Sequence, residues 1–114
     1  MTDADCLFCR IVAGEIPADT VVETERVLAF RDIAPKAPVH VLVVPRTHSR
    51  DVVALAADSP EDLAAMAQVA QQVADAECGG QFRWIFNTGE QAGQAVFHVH
   101  GHVIGGGTLS WNPA

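Results

Sequence analysis

Five histidines (His40, His48, His98, His100, His102) and three cysteines (Cys6, Cys9, Cys78) are the residues of this chain whose types and spacing can do chemistry. Three of the histidines recur at period two in His98-Val99-His100-Gly101-His102. In a strand, period two puts all three imidazoles on one face, neighbours roughly 7 Å apart, and turns Val99 and Val103 toward apolar packing on the other. Such a row supports two chemistries. It can ligate a metal, as in catalytic zinc sites with three protein nitrogens. Alternatively it can act on a phosphoryl group, one neutral imidazole attacking while its neighbours donate hydrogen bonds to the oxygens. Spacing alone does not separate them. Cys6-Leu7-Phe8-Cys9 has three readings of its own. It can be a redox pair, although no preceding strand and helix place it in a thioredoxin-like unit. It can be two buried thiols, or half of a zinc site completed by two histidines. Cys78, just before Gly79-Gly80, reads as a buried or helix-end residue, and the odd count argues against a disulfide framework.

The elements that must position these residues follow from pattern. A helix is expected from about Ser59 to Cys78: Ser59 suits the N-cap, Pro60 the first helical position, and Glu61 and Asp62 the positive N-terminus. Leu63, Met66, Ala67, Ala70, Val73 and Ala74 fall on one face, and Gly79-Gly80 ends the helix. Val21–Glu23 and Val27–Phe30 flank the polar Thr24-Glu25-Arg26 as a hairpin. Val39–Val44, bounded by Pro38 and Pro45, reads as a strand covered on both faces. Phe82–Phe86 and Phe97–Ile104 complete five strands, and residues 6 to 14 form a short helix ending at Gly14. The expected fold is α+β, a five-stranded antiparallel sheet with one long and one short helix, in a single domain over residues 1–114.

Composition bounds the function. A net charge of −7 disfavours a partner such as DNA or RNA, whose binding rests on Lys and Arg. It leaves room for a small phosphate ligand held by a few local donors. Apolar residues come in short runs, so no membrane span is expected. The start Met1-Thr2-Asp3-Ala4-Asp5 lacks a secretory signal's basic and apolar regions, so a cytoplasmic location is expected.

Gly93-Gln94-Ala95-Val96-Phe97-His98-Val99-His100-Gly101-His102-Val103-Ile104-Gly105-Gly106 resembles the signature of the histidine-triad (HIT) nucleotide-binding family. The resemblance extends to Cys6–Ile11, Gly14-Glu15-Ile16-Pro17, Leu28–Pro35, Pro38–Pro45 and Asn87-Thr88-Gly89. Trp111-Asn112-Pro113 closes the chain as in the Hint branch. Several unrelated segments thus agree in order and spacing.

The resemblance implies hydrolysis of a purine nucleoside 5′-phosphoramidate or related nucleotidyl bond. His100 would attack the α-phosphorus to give a covalent nucleotidyl-histidine, and His102 and Asn87 would contact the phosphate. Asp32, by itself a turn residue before Ile33-Ala34-Pro35, matches the ribose-binding acid. Leu7, Phe8, Ile11, Phe30 and Ile33, which read equally well as core residues, match the base pocket, and Gln94 and Ala95 complete the nucleotide-binding set. In bacterial relatives a structural zinc is held by the positions that here are Cys6, Cys9, His48 and His98. A homodimer with the long helix near its interface is also implied. Other readings are a dinucleoside polyphosphate hydrolase and a nucleotide-binding module with negligible turnover. Three positions depart from the family. Ala95 stands where a serine is common, Gly101 replaces a larger apolar residue and should loosen the triad strand, and Gly107 replaces a frequent arginine near the site.

Overall fold

A computed structural model describes residues 5–110; the segments 1–4 and Trp111–Ala114, including the Trp111-Asn112-Pro113 match, lie outside the described residues. The hairpin forms around Thr24. Its hydroxyl accepts from the Val27 amide at 3.0 Å and its own amide donates to the Val27 carbonyl at 2.8 Å. This closes β1 (Thr20–Glu23) against β2 (Val27–Arg31). β3 (Val39–Pro45) follows, and then β4 (Phe82–Ile85) and β5 (Gly101–Gly105). The sheet is antiparallel throughout, in the order β1-β2-β3-β5-β4. All seven residues of β3 are buried, as a central strand covered on both faces must be.

Alternation along the strands divides the interior into two layers. Val27, Ala29, Val41, Val43, Val99 and Val103 pack against Leu55, Met66 and Val73 of the helices. Leu28, Phe30, Leu42 and Val44 face the other way, onto Cys6, Phe8 and Cys9 of the N-terminal segment. That segment carries helix α1 (Leu7–Val12). Helix α3 (Pro60–Glu77) matches the expected long helix, and Gly79 and Gly80, at φ +62° and +79°, turn the chain out of it.

Four local expectations need correction. A further helix, α2 (Val52–Asp58), precedes α3; the Asp51 side chain caps it by accepting from the Ala54 amide at 2.9 Å. The fold therefore has one long and two short helices. Ser59 stands at the N-cap of α3, but its hydroxyl donates to Glu61 at 3.3 Å and caps no amide. On α3, Val69 and Asp62 are buried while Ala67 is exposed. Asp62 is compensated by Arg26 at 2.7 Å, which ties the start of α3 to the hairpin turn.

The fourth correction concerns the triad strand. β5 begins only at Gly101, so of the three histidines only His102 lies in the ladder. Continuing the β3–β5 register would bring Val99 opposite Pro45, which has no N–H to donate. The Val99 amide instead donates to the Ser49 carbonyl at 2.7 Å. The alternation survives the loss of the ladder: Val99 stays in the helix-side layer, while His98 and His100 stand edge-on to Phe8 on the other.

Candidate functional site

On the α1 side of the sheet lies a cleft of about 630 Å³ with a mainly apolar lining. Leu7, Phe8, Ile11, Phe30, Asp32, Ile33, Asn87, Ala95, His100 and His102 all line it. Phe8 and Phe30 are buried and pack edge to face with centroids 5.5 Å apart, so they serve as core and wall at once. Ile33 is fully exposed at 101 % and Leu7 is 44 % exposed, so these two border the cleft without belonging to the core.

Gln94 is placed differently from its expected nucleotide contact. Its amide nitrogen donates to the Arg50 and Val96 carbonyls at 2.7 and 3.1 Å, and its oxygen accepts from the Gly89 amide at 2.9 Å. The side chain is buried and spent on pinning the loop that carries Ala95. Gly107 also lies elsewhere, in a separate cavity with Cys78, Gln81 and Arg83. The turn at Gly106 (φ +90°) carries the chain away from the cleft, so within one chain an arginine at Gly107 would not line it.

The histidine tautomers follow from their partners. His100 Nδ1 lies 2.8 Å from the His98 carbonyl, so it carries the proton and Nε2 keeps a free lone pair. Burial pushes the His100 pKa below its ordinary value, with the carbonyl and Asp32 opposing, so the ring is neutral near pH 7. At the next position the relay begins from the backbone. The Lys36 amide donates to His40 Nδ1 at 3.0 Å, which leaves the proton of a neutral His40 on Nε2. That Nε2 lies 2.9 Å from His102 Nδ1 and 3.4 Å from an Asp32 oxygen. His102 therefore accepts through Nδ1 and carries its own proton on Nε2, a buried atom with no hydrogen-bond partner among the described residues. Burial first, then repulsion from His100 and His40, lowers the His102 pKa to about 4. The arrangement thus presents a bare nitrogen on His100 and an unspent N–H donor on His102.

His40 was missed as a site residue because its strand reads simply as buried β structure. The available signal was period two: His40 and Leu42 share the face on which His102 lies across the sheet. Asp32 makes the expected turn and also reaches the cleft. One oxygen accepts from the Ala34 amide at 2.8 Å in a local turn while the carboxylate lines the cleft.

Among the described residues two groups stand close enough to hold a metal ion, and the row His98-His100-His102 is not one of them. The first is Asp32, His40 and His102. Here the Lys36 amide keeps the His40 Nε2 protonated, and the 2.9 Å nitrogen separation is shorter than the roughly 3.4 Å between two imidazoles on tetrahedral zinc. Hydrogen bonding accounts for it better. The second is Cys6, Cys9, His48 and His98. His98 Nδ1 lies 3.4 Å from both cysteine sulfurs, and His48 Nδ1 lies 3.3 Å from Cys9 Sγ. Tetrahedral zinc with Zn–S near 2.3 Å and Zn–N near 2.1 Å implies about 3.6 Å between such ligands. His98 Nε2 donates to the Pro45 carbonyl at 2.8 Å, which orients Nδ1 toward the sulfurs, and burial lowers its pKa to about 4. Burial also pushes the Cys6 thiol up, a cost that a bound cation would reverse. Donor set and geometry fit a closed four-ligand site.

The small size of Gly101 has a packing reason. A Cβ at Gly101 would overlap the indole of Trp84 and stand 2.7 Å from Phe86 Cζ. The aromatic pair, with centroids 4.7 Å apart, fills the space that a larger residue at Gly101 would take.

Fold and site together define a small α+β domain that brings two neutral histidines to an apolar cleft beside a Cys₂His₂ cluster. A model of the HIT domain matches residues 13–109, and the chain belongs to that family. An uncharacterized HIT-like protein of Synechocystis sp. is 43% identical over 113 residues, covering 96% of each chain. A HIT family hydrolase from Clostridium thermocellum superposes with a TM-score of 0.91 at 37% identity, covering 97% of this chain and 98% of that one. A HIT family hydrolase from Legionella pneumophila gives 0.90 at 41% identity, covering 96% and 100%.

Proposed function

We propose that the chain is a hydrolase that cleaves purine nucleoside phosphoramidates, or related nucleotidyl bonds, through a covalent intermediate on His100. The observation that carries this is the fixed tautomer: the His98 carbonyl holds the Nδ1 proton, so the bare Nε2 of a neutral ring serves as nucleophile. His100 Nε2 attacks the α-phosphorus, the bond to the amine leaving group breaks, and the amine takes a proton from water. Water then attacks the same phosphorus, the P–N bond to His100 breaks, and a nucleoside monophosphate leaves. His102 Nε2–H and Asn87 donate to the non-bridging oxygens, where charge develops. Asp32 retains lone pairs for the ribose hydroxyls beyond its turn contact, and Leu7, Phe8, Ile11, Phe30 and Ile33 hold the base. The solved HIT family hydrolases that share the fold support the reaction class.

The metal is read as zinc, held by Cys6, Cys9, His48 and His98 in a structural role. Two cysteine thiols reserved as ligands suit a reducing, cytoplasmic compartment. The family implies a homodimer, for which sedimentation should give about twice the chain mass of 12.1 kDa. Ala95 favours a second substrate class. With no hydroxyl there to protonate an amine, an acidic leaving group such as a nucleotide from a dinucleoside polyphosphate loses less.

The test is intact-protein mass spectrometry during turnover of an adenosine phosphoramidate, followed by mapping of the adduct. The expected result is an adenylated His100. His100→Ala should abolish turnover while monophosphate binding remains within a few-fold, because a nucleophile contributes mainly in the transition state. A variant that still turns over at the wild-type rate overturns the reading.

A further inference from the structure

The strand order of the sheet assigns an order to the cleft. His102 lies on β5, opposite Leu42 of β3. Asp32 follows the end of β2, and its amide donates to the His40 carbonyl of β3 at 3.0 Å. Asp19 immediately precedes β1, and its carbonyl accepts from the Arg31 amide of β2 at 3.0 Å. All three side chains line the same cleft. From β5 to β1 is three strand spacings, on the order of 14 Å, a span that a nucleotide and the reach of the flanking side chains fill. With phosphate at His100 and His102 and ribose at Asp32, the base points to the β1 side, where Asp19 stands beside Pro17 and Ala18.

The Asp19 carboxylate is left for a ligand. Its side chain is 76 % exposed, and its ion pair with Arg31 Nε is long, at 3.8 Å. The two terminal nitrogens of Arg31 are committed to Glu77 at 3.0 and 2.9 Å. A carboxylate is an acceptor with two oxygens, and it pairs best with two adjacent donors. Guanine offers two side by side, the N1–H and the 2-amino group. Adenine offers one amine beside a bare N1, whose lone pair would face the carboxylate.

We propose that Asp19 is a specificity-determining residue that reads the outer edge of the base and biases the cleft toward guanine over adenine. The proposal rests on the nucleotide-binding reading above and names the base class it would take. Calorimetric titration of the full chain with GMP, IMP and AMP tests it, using the wild type and Asp19→Asn. Wild type should bind GMP about tenfold more tightly than AMP, as befits a charged hydrogen-bond acceptor. IMP, which keeps N1–H but lacks the 2-amino group, should fall between. Asp19→Asn, which offers an amide donor beside one acceptor, should weaken GMP and bring the GMP-to-AMP ratio to one or below. Binding of all three within twofold, a wild-type preference for AMP, or a ratio unchanged in Asp19→Asn would each overturn the role of Asp19 alone. Failure of all three nucleotides to bind would overturn the nucleotide reading, and this proposal with it.

Discussion

At the residue scale, the chemistry depends on where protons sit, and each proton is placed by a particular partner, two of them close in the chain and one across the sheet. The Lys36 amide sets His40, His40 sets His102, and the His98 carbonyl sets His100. These rings are neutral because they are buried, which makes them a liability in acid. His102 has a folded pKa of about 4 against an unfolded value near 6.5, and His40 is shifted the same way by burial. Between those values the unfolded chain binds protons that the folded chain refuses, so stability falls as pH drops from 6.5 toward 4. Above 6.5 both states are neutral there, and this term is absent. Thermal unfolding of wild type and His102→Asn at pH 7.5 and pH 5 should show the wild type losing more melting temperature on acidification. Equal losses would remove His102 from that role.

At the element scale, the triad strand and β4 are fitted to one another. Trp84 lies opposite Val103 in the register and reaches over Gly101. The small residue at Gly101 is thus matched to a large one on the neighbouring strand. Gly101→Ala should destabilise by about 1–3 kcal/mol, the usual cost of overpacking, as read by urea unfolding. Adding Trp84→Leu removes the overlap, so the double variant should lose less than the sum of the two single losses. Strict additivity would show that the two positions are not coupled. Helix α2 belongs to the same scale. It is seven residues long, contains the β-branched pair Val52-Val53, and is held by the Asp51 cap and by burial of Leu55. Neither support is strong enough alone to announce a helix.

At the scale of the whole molecule, the Cys₂His₂ cluster joins parts of the chain up to 92 residues apart, from Cys6 to His98. It fastens α1, which forms one wall of the cleft, to the segment that carries His100. Binding there should therefore support the site without taking part in the chemistry. Protein purified without added metal should contain about one zinc per chain. Removing it with a strong chelator should lower the melting temperature and speed amide exchange in α1 more than in β2 and β3. Metal-free protein with unchanged stability and exchange would overturn the structural role.

Much was legible in the residues alone because it rests on short-range rules. The period of α3, its proline start and glycine end, the Thr24 hairpin and the alternation that separates Val99 and Val103 from the histidines all arise within a few residues. The resemblance in the motifs added which distant residues meet, such as Cys6 and Cys9 with His48 and His98. Tertiary structure alone decided the rest. Pro45 cannot donate a ladder hydrogen bond, so β5 starts late and His98 is free to bond the Pro45 carbonyl. Gln94 spends its amide on three backbone groups that only the folded loop brings together. Gly101 is small because Trp84 lies above it, and His40 joins the site because β3 runs beside β5. In each case at least one deciding partner (Pro45, Arg50, Trp84 or His102) is far along the chain, and hydrogen bonding and excluded volume act between neighbours in space.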